Sequence, residues 1–114
     1  MFVDHFIAEW NSQNPDRIVA CYAEDCLYQD PDTRGPIQGR DGLRRYLGRV
    51  FSGFNLSWTL RESHPLTGTD GFALLWKVQI VPKAGGETKT LEAMELVVLR
   101  NGLVARNEVF YGRR

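Results

Sequence analysis

Three carboxylates stand among residues that otherwise read as apolar core. Asp30 ends the run CLYQD just before Pro31, so a strand of buried character finishes on an acid. Glu95 and Glu108 lie in two apolar stretches, TLEAMELVVLR and LVARNEVFY, separated by Asn101-Gly102. An acid withdrawn from water keeps its proton to higher pH. Two acids in different surroundings can therefore act as base and acid, taking a proton from carbon beside a carbonyl and returning it. The Asn-Gly pair predicts a two-residue hairpin turn, which pairs Arg100 with Leu103 and Leu99 with Val104. Continued without interruption, the same register sets Val97 opposite Arg106, Glu95 opposite Glu108 and Ala93 opposite Phe110. Paired residues share a face. Glu95, Glu108, Arg106 and Phe110 are thus expected on one side, with the two glutamates titrating as a coupled pair and Arg106 neutralising one of them. A structural ion-pair cluster would give the same pattern, and a slip of one residue would scatter the group to both faces.

Other side chains complete the inventory. Tyr28, two residues before Asp30, shares its strand face and reads as a pocket hydrogen-bond donor or a buried tyrosine with a local partner. Trp58 and Trp76 read as core or as the wall of an apolar pocket. Asp30-Pro31 is also an ordinary way to begin a turn. His5 and His64 have no metal-binding companion, and Cys21 and Cys26, five apart, lack a metal-ligand spacing. No glycine-rich phosphate loop and no Ser/His or Cys/His arrangement is apparent, so neither metal nor cofactor is expected. The 14 basic and 14 acidic residues cancel, which argues against a nucleic-acid or membrane-surface partner held by charge. The N-terminal MFVDHFIAEWN lacks the pattern of a signal peptide, and no apolar run has membrane length, so a cytoplasmic location is expected.

The elements that must position these groups follow from periodicity. The 114 residues, 43% hydrophobic and 25% charged, suit one domain spanning 1–114. Phe2, Val3, Phe6, Ile7 and Trp10 predict a helix over 2–12. Asn14 and Pro15 start a second that runs to about Asp25, with Cys21 on it and Cys26 opening the strand CLYQD. After an irregular loop, Asp41 is placed to cap a third helix bearing Leu43, Leu47, Val50 and Phe51 and ending near Gly53. The second half alternates with a period of two in four strands, NLSWTLRESHP, GFALLWKVQIV, TLEAMELVVLR and LVARNEVFY. This predicts an α+β domain: three N-terminal helices packed on a strongly curved mixed or antiparallel sheet. Both faces of the last hairpin are apolar and helices can cover only one. The other, with Met94, Leu96, Val98 and Val109, is expected to meet a second copy, giving a homodimer through the outer sheet face.

The segments FIAEWN, NPDRIVACYAEDCLYQDP, GRDGLRRYLGRVFSGF and NGLVARNEVFYG together resemble the SnoaL-like branch of the nuclear transport factor 2-like superfamily, over nearly the whole chain. That superfamily includes ketosteroid isomerases, polyketide cyclases and limonene epoxide hydrolases. The resemblance implies a cone-shaped fold with an internal pocket, often dimeric, and hosts many chemistries as well as members with none. It implies that Asp30 matches the general base of the isomerases and Glu95 their protonated carboxylic acid, a system that serves as a standard example of a neutral acid donating a hydrogen bond. The isomerases' tyrosine on the first helix is matched here by Phe6, leaving Tyr28 and Tyr46 as possible substitutes. Glu108 resembles the last-strand aspartate of the epoxide hydrolases, whose middle-strand Arg and Asp are replaced by Trp76 and Val78. The function expected is acid/base isomerisation, cyclisation or dehydration of a small apolar carbonyl compound, with Asp30 as base, Glu95 as acid or oxyanion donor, and Glu108 with Arg106 tuning them. Tyr28, Trp58, Trp76, Arg106, Phe110 and Phe6 would contact the substrate. The alternative is a non-catalytic ligand-binding or dimerisation module.

Overall fold

Asn14 makes the first corner of the chain. Its Oδ1 accepts the backbone N–H groups of Asp16 and Arg17 at 3.0 and 3.3 Å, and Pro15 fills the first helical position, where no N–H is needed. The computed structural model describes residues 2–112. Helix α1 spans Phe2–Asn11 and α2 spans Pro15–Val19. The second helix is shorter than its periodicity predicts. Ala20 and Cys21 close its last turn by donating to the carbonyls of Asp16 and Ile18, and from Tyr22 the chain enters strand β1, Tyr22–Gln29. The pairing that claims this segment comes from the far end of the sequence: β1 lies parallel to β6, Leu103–Tyr111. Cys21 therefore sits in the corner rather than on a helix, and Cys26 is inside the strand rather than at its start. Both are buried free thiols.

A two-residue strand, β2 at Ile37–Gln38, adds to the edge of β1. It is too short for periodicity to reveal. Helix α3, Arg40–Gly53, buries Leu43, Leu47 and Phe51. Asp41 does not cap it. The cap position is Gly39, whose φ of 84° suits glycine, and Asp41 in the first turn accepts from Arg44 instead. Strands β3 (Phe54–Pro65), β4 (Gly71–Pro82) and β5 (Lys89–Arg100) follow. The six strands form one mixed, open sheet in the order β2-β1-β6-β5-β4-β3, antiparallel except at β1–β6. Helices α1 and α3 pack on its inner face, with Val3, Phe6, Leu47, Phe51, Leu74 and Val97 in the core between. No helix among the described residues is long and apolar enough to cross a membrane.

The β5–β6 hairpin turns where the Asn-Gly pair places it, with φ of 54° at Asn101 and 78° at Gly102, and Arg100 and Leu99 meet Leu103 and Val104. The register then shifts. Val98 faces Arg106, so Ala105 is an extra residue in a β-bulge. Every later pair moves by one: Val97 with Asn107, Leu96 with Glu108, Glu95 with Val109, Met94 with Phe110 and Ala93 with Tyr111. Because side chains alternate, this single residue reverses the faces of β6 relative to expectation. Asn107 and Val109 turn inward and are buried, while Arg106, Glu108 and Phe110 turn outward. A second irregularity, at Arg61, lies between Leu60 and Glu62 on β3.

Candidate functional site

The inner face of the sheet and helices α1 and α3 leave a cavity of about 660 Å³ between them. Its wall is largely aromatic. Trp10 from α1 stands 5.3 Å, centroid to centroid, from Trp58 on β3, which in turn is 6.4 Å from Trp76 on β4. Both contacts are edge-on, the arrangement that ring quadrupoles favour. Tyr28 stacks 6.0 Å from Trp10 and lies 5.9 Å from Tyr46 of α3. Leu47, Val50, Leu91 and Val109 complete the apolar lining, and the exposed Pro31, Asp32, Phe54 and Lys89 mark the side on which the cavity opens.

Two carboxylates interrupt this wall. Asp30, directly after β1, is 8% exposed. Its Oδ2 accepts the hydroxyls of Tyr28 at 2.6 Å and Tyr46 at 2.7 Å, and its Oδ1 accepts the backbone N–H groups of Asp32 at 2.8 Å and Thr33 at 3.1 Å. The turn that Asp-Pro predicts is also present: Thr33 donates through its backbone N–H and its hydroxyl to the Asp30 carbonyl. A carboxylate offers about four acceptor positions. All four have a donor here. Burial and the neighbouring Asp30 charge raise both tyrosines well above the ordinary phenol range, so their hydroxyls keep their protons.

Glu95, on β5, is 6% exposed. Its Oε1 accepts the indole N–H of Trp76 at 2.9 Å, and its Oε2 accepts the amide of Asn107 at 2.7 Å. Burial pushes its carboxyl from the ordinary 4.5 up to about 7, against the two donated hydrogen bonds, which pull it down. At neutral pH it populates both protonation states.

The sequence-expected residues divide accordingly. Asp30, Glu95, Tyr28, Trp58 and Trp76 meet around one cavity. Glu108, Arg106 and Phe110 do not reach it. The Ala105 bulge puts them on the outer face, where Arg106 pairs with Glu108 at 3.0 Å and Phe110 is 52% exposed. The expected Glu95–Glu108 dyad therefore does not form. Phe6 is fully buried and packs on Phe2 and Tyr22, with centroids 5.3 and 5.9 Å away, beneath the cavity rather than in its lining. Sequence reasoning missed Trp10 and Tyr111 of the lining, and Asn107 behind Glu95. Trp10 had a signal in the apolar stripe of the first helix. Asn107 had none, because its inward direction depends on the bulge.

Comparison with known proteins agrees with this architecture. The profile of the SnoaL-like domain matches residues 3–107. The chain belongs to that family. Among solved structures, a hypothetical protein of ketosteroid isomerase-like fold from Catenulispora acidiphila, in complex with trimethylamine, superimposes with a TM-score of 0.86 at 17% identity, over 97% of this chain and 85% of that one. The epoxide hydrolase/cyclase-like enzyme SalBIII, which has a role in pyran ring formation in the polyether salinomycin, gives 0.86 at 17% identity over 97% and 88%. An NTF2-like protein of unknown function from Exiguobacterium sp. 255-15 gives 0.84 at 12% identity over the full length of both chains. At these identities the likeness establishes the fold. Comparison with curated proteins finds no match.

Proposed function

We propose that this SnoaL-like chain is an enzyme whose own side chains move a proton on a small, mostly apolar carbonyl compound. The observation behind this reading is Glu95, a carboxyl buried in an aromatic cavity and raised to about 7. A group poised near the working pH is the efficient proton carrier. Ionised Glu95 takes the proton from carbon next to the carbonyl, the C–H electron pair moves toward the carbonyl oxygen as an enolate, and the acid form returns the proton to the same or another carbon. Asp30, expected from the sequence to be the base, has every acceptor position engaged, and we assign it the task of holding the Tyr28 and Tyr46 hydroxyls, which can turn to a substrate oxygen. The cavity volume falls in the range that suits a small molecule.

The test needs no knowledge of the natural substrate. Cyclohexanone and 1-tetralone in deuterated buffer exchange their α-protons slowly, and ¹H NMR follows the loss. Accelerated exchange by the protein that disappears in Glu95→Gln supports the reading. Acceleration that survives the substitution removes Glu95 from it.

A second reading, a non-catalytic binding pocket, draws on the saturated Asp30 carboxylate. It predicts a co-purified ligand in native mass spectrometry with no exchange on any ketone. Under either reading the outer sheet face is proposed to meet a second copy of the chain. Met94 and Phe110 face each other there at 50% and 52% exposure, beside Leu96 and Val98.

A further inference from the structure

Asn107 is 1% exposed and every polar atom of its side chain is engaged. Its Nδ2 donates to Glu95 Oε2 at 2.7 Å and to the carbonyl of Leu96 at 3.1 Å, and its Oδ1 accepts the Tyr22 hydroxyl at 2.6 Å. We infer that Asn107, oriented by Tyr22, is a positioning residue that fixes the Glu95 carboxyl in the cavity wall and favours its ionised form over its acid form. The inference rests on Glu95 being the proton carrier, but what it says about Glu95 can be measured without turnover.

The orientation of the amide is forced. The Leu96 carbonyl can only accept, so it must meet the nitrogen end. Tyr22 is fully buried, burial and the nearby Glu95 keep its hydroxyl protonated, and it donates to the oxygen end. Flipping the amide would set its oxygen against the Leu96 carbonyl and the Glu95 carboxylate and lose the donation from Tyr22. The end presented to Glu95 is thus always a donor. Trp76 presents a donor as well, since an indole N–H cannot accept. Two fixed donors favour the carboxylate over the acid, because a bond to an ionised acceptor is the stronger one. Around Glu95, β4 contributes the neutral Trp76, β6 the neutral Asn107, and β1 the titratable but protonated Tyr22; among the described residues no charged side chain contributes to its shift. The balance between burial and donation therefore depends on hydrogen bonds alone. Asn107 and Tyr22 come from β6 and β1, the two strands that pair in parallel across the ends of the chain, so the setting of Glu95 is built by the closure of the fold.

The experiment is a ¹³C NMR titration of the protein labelled at glutamate carboxyls, in the wild type, Asn107→Leu and Tyr22→Phe, with Glu95→Gln to assign the signal. Asn107→Leu is expected to move the Glu95 midpoint upward by about one unit or more. Tyr22→Phe, which removes the donor to the amide oxygen and leaves the amide held by the Leu96 carbonyl alone, is expected to move it in the same direction by less. Should Asn107→Leu fail to fold, Tyr22→Phe decides alone. A midpoint unchanged or lowered in the folded variants overturns the inference. If the midpoint moves as expected while ketone exchange ignores Glu95→Gln, the catalytic reading fails and the positioning of Glu95 by Asn107 stands.

Discussion

The two ends of the cavity treat a carboxylate in opposite ways. At the open end, Asp30 is surrounded by two hydroxyls and two backbone N–H groups that occupy all its acceptor positions. At the inner end, Glu95 has two N–H donors and otherwise apolar and aromatic neighbours, and burial prevails. The difference lies in how many donors each buried acid is given, and in the proposed mechanism it decides which of the two carries the proton. Four donors engage every acceptor position of Asp30, whereas Glu95 has two and burial raises its carboxyl to about 7.

The contrast is most severely tested by substitution. Glu95→Gln is expected to lower ketone exchange by about 10²–10⁴-fold, the usual contribution of a general base. Asp30→Asn is expected to cost less, about tenfold to a hundredfold, because it misplaces the tyrosines without removing the proton carrier. Parallel NMR rates check both, and a larger loss at Asp30 would exchange the two roles.

Stability against pH sharpens the same contrast. Below the ordinary glutamate value of 4.5, Glu95 is protonated in the folded and the unfolded chain and costs nothing. As pH rises, the unfolded chain ionises first and the folded state is disfavoured until Glu95 ionises at about 7. The wild type should lose about 3 kcal/mol from this group across that window and no more above it. Urea unfolding at several pH values checks this, and Glu95→Gln should lack that component of the slope.

Smaller effects belong to the periphery. Tyr46→Phe removes a hydrogen bond to a charged acceptor and should destabilise the fold by about 1.5–3 kcal/mol in urea titrations. Phe110→Ser should leave the stability of a single subunit within about 0.5 kcal/mol of the wild type. In the proposed dimer it should shift the mass seen by light scattering toward the monomer. A wild-type protein that is monomeric throughout would remove the second copy from the outer face.

Much of this was legible in the sequence because it was local. Asn14-Pro15 and Asn101-Gly102 act through their own backbone, and the alternation in TLEAMELVVLR follows from the pleat. Asp30 and Glu95, which both line the cavity, were singled out because an acid among apolar residues is conspicuous and because the SnoaL-like resemblance points to the same two positions. What failed was long-range. The early start of β1 depends on β6, more than 80 positions away along the chain. The inward turn of Asn107 and the outward turn of Glu108 depend on one bulged residue, Ala105, which no periodicity announces. One extra residue thus replaced an expected glutamate pair by a glutamate–asparagine pair, and a coupled acid dyad by a single tuned acid.

The most direct test is the rate of ketone exchange by the wild type from about pH 5 to about pH 9. The rate should rise with a midpoint close to 7, following the ionisation of Glu95, and that rise should be absent in Glu95→Gln. A rate that is flat through this range, or one that climbs identically in both proteins, would contradict the assignment of Glu95 as the proton carrier.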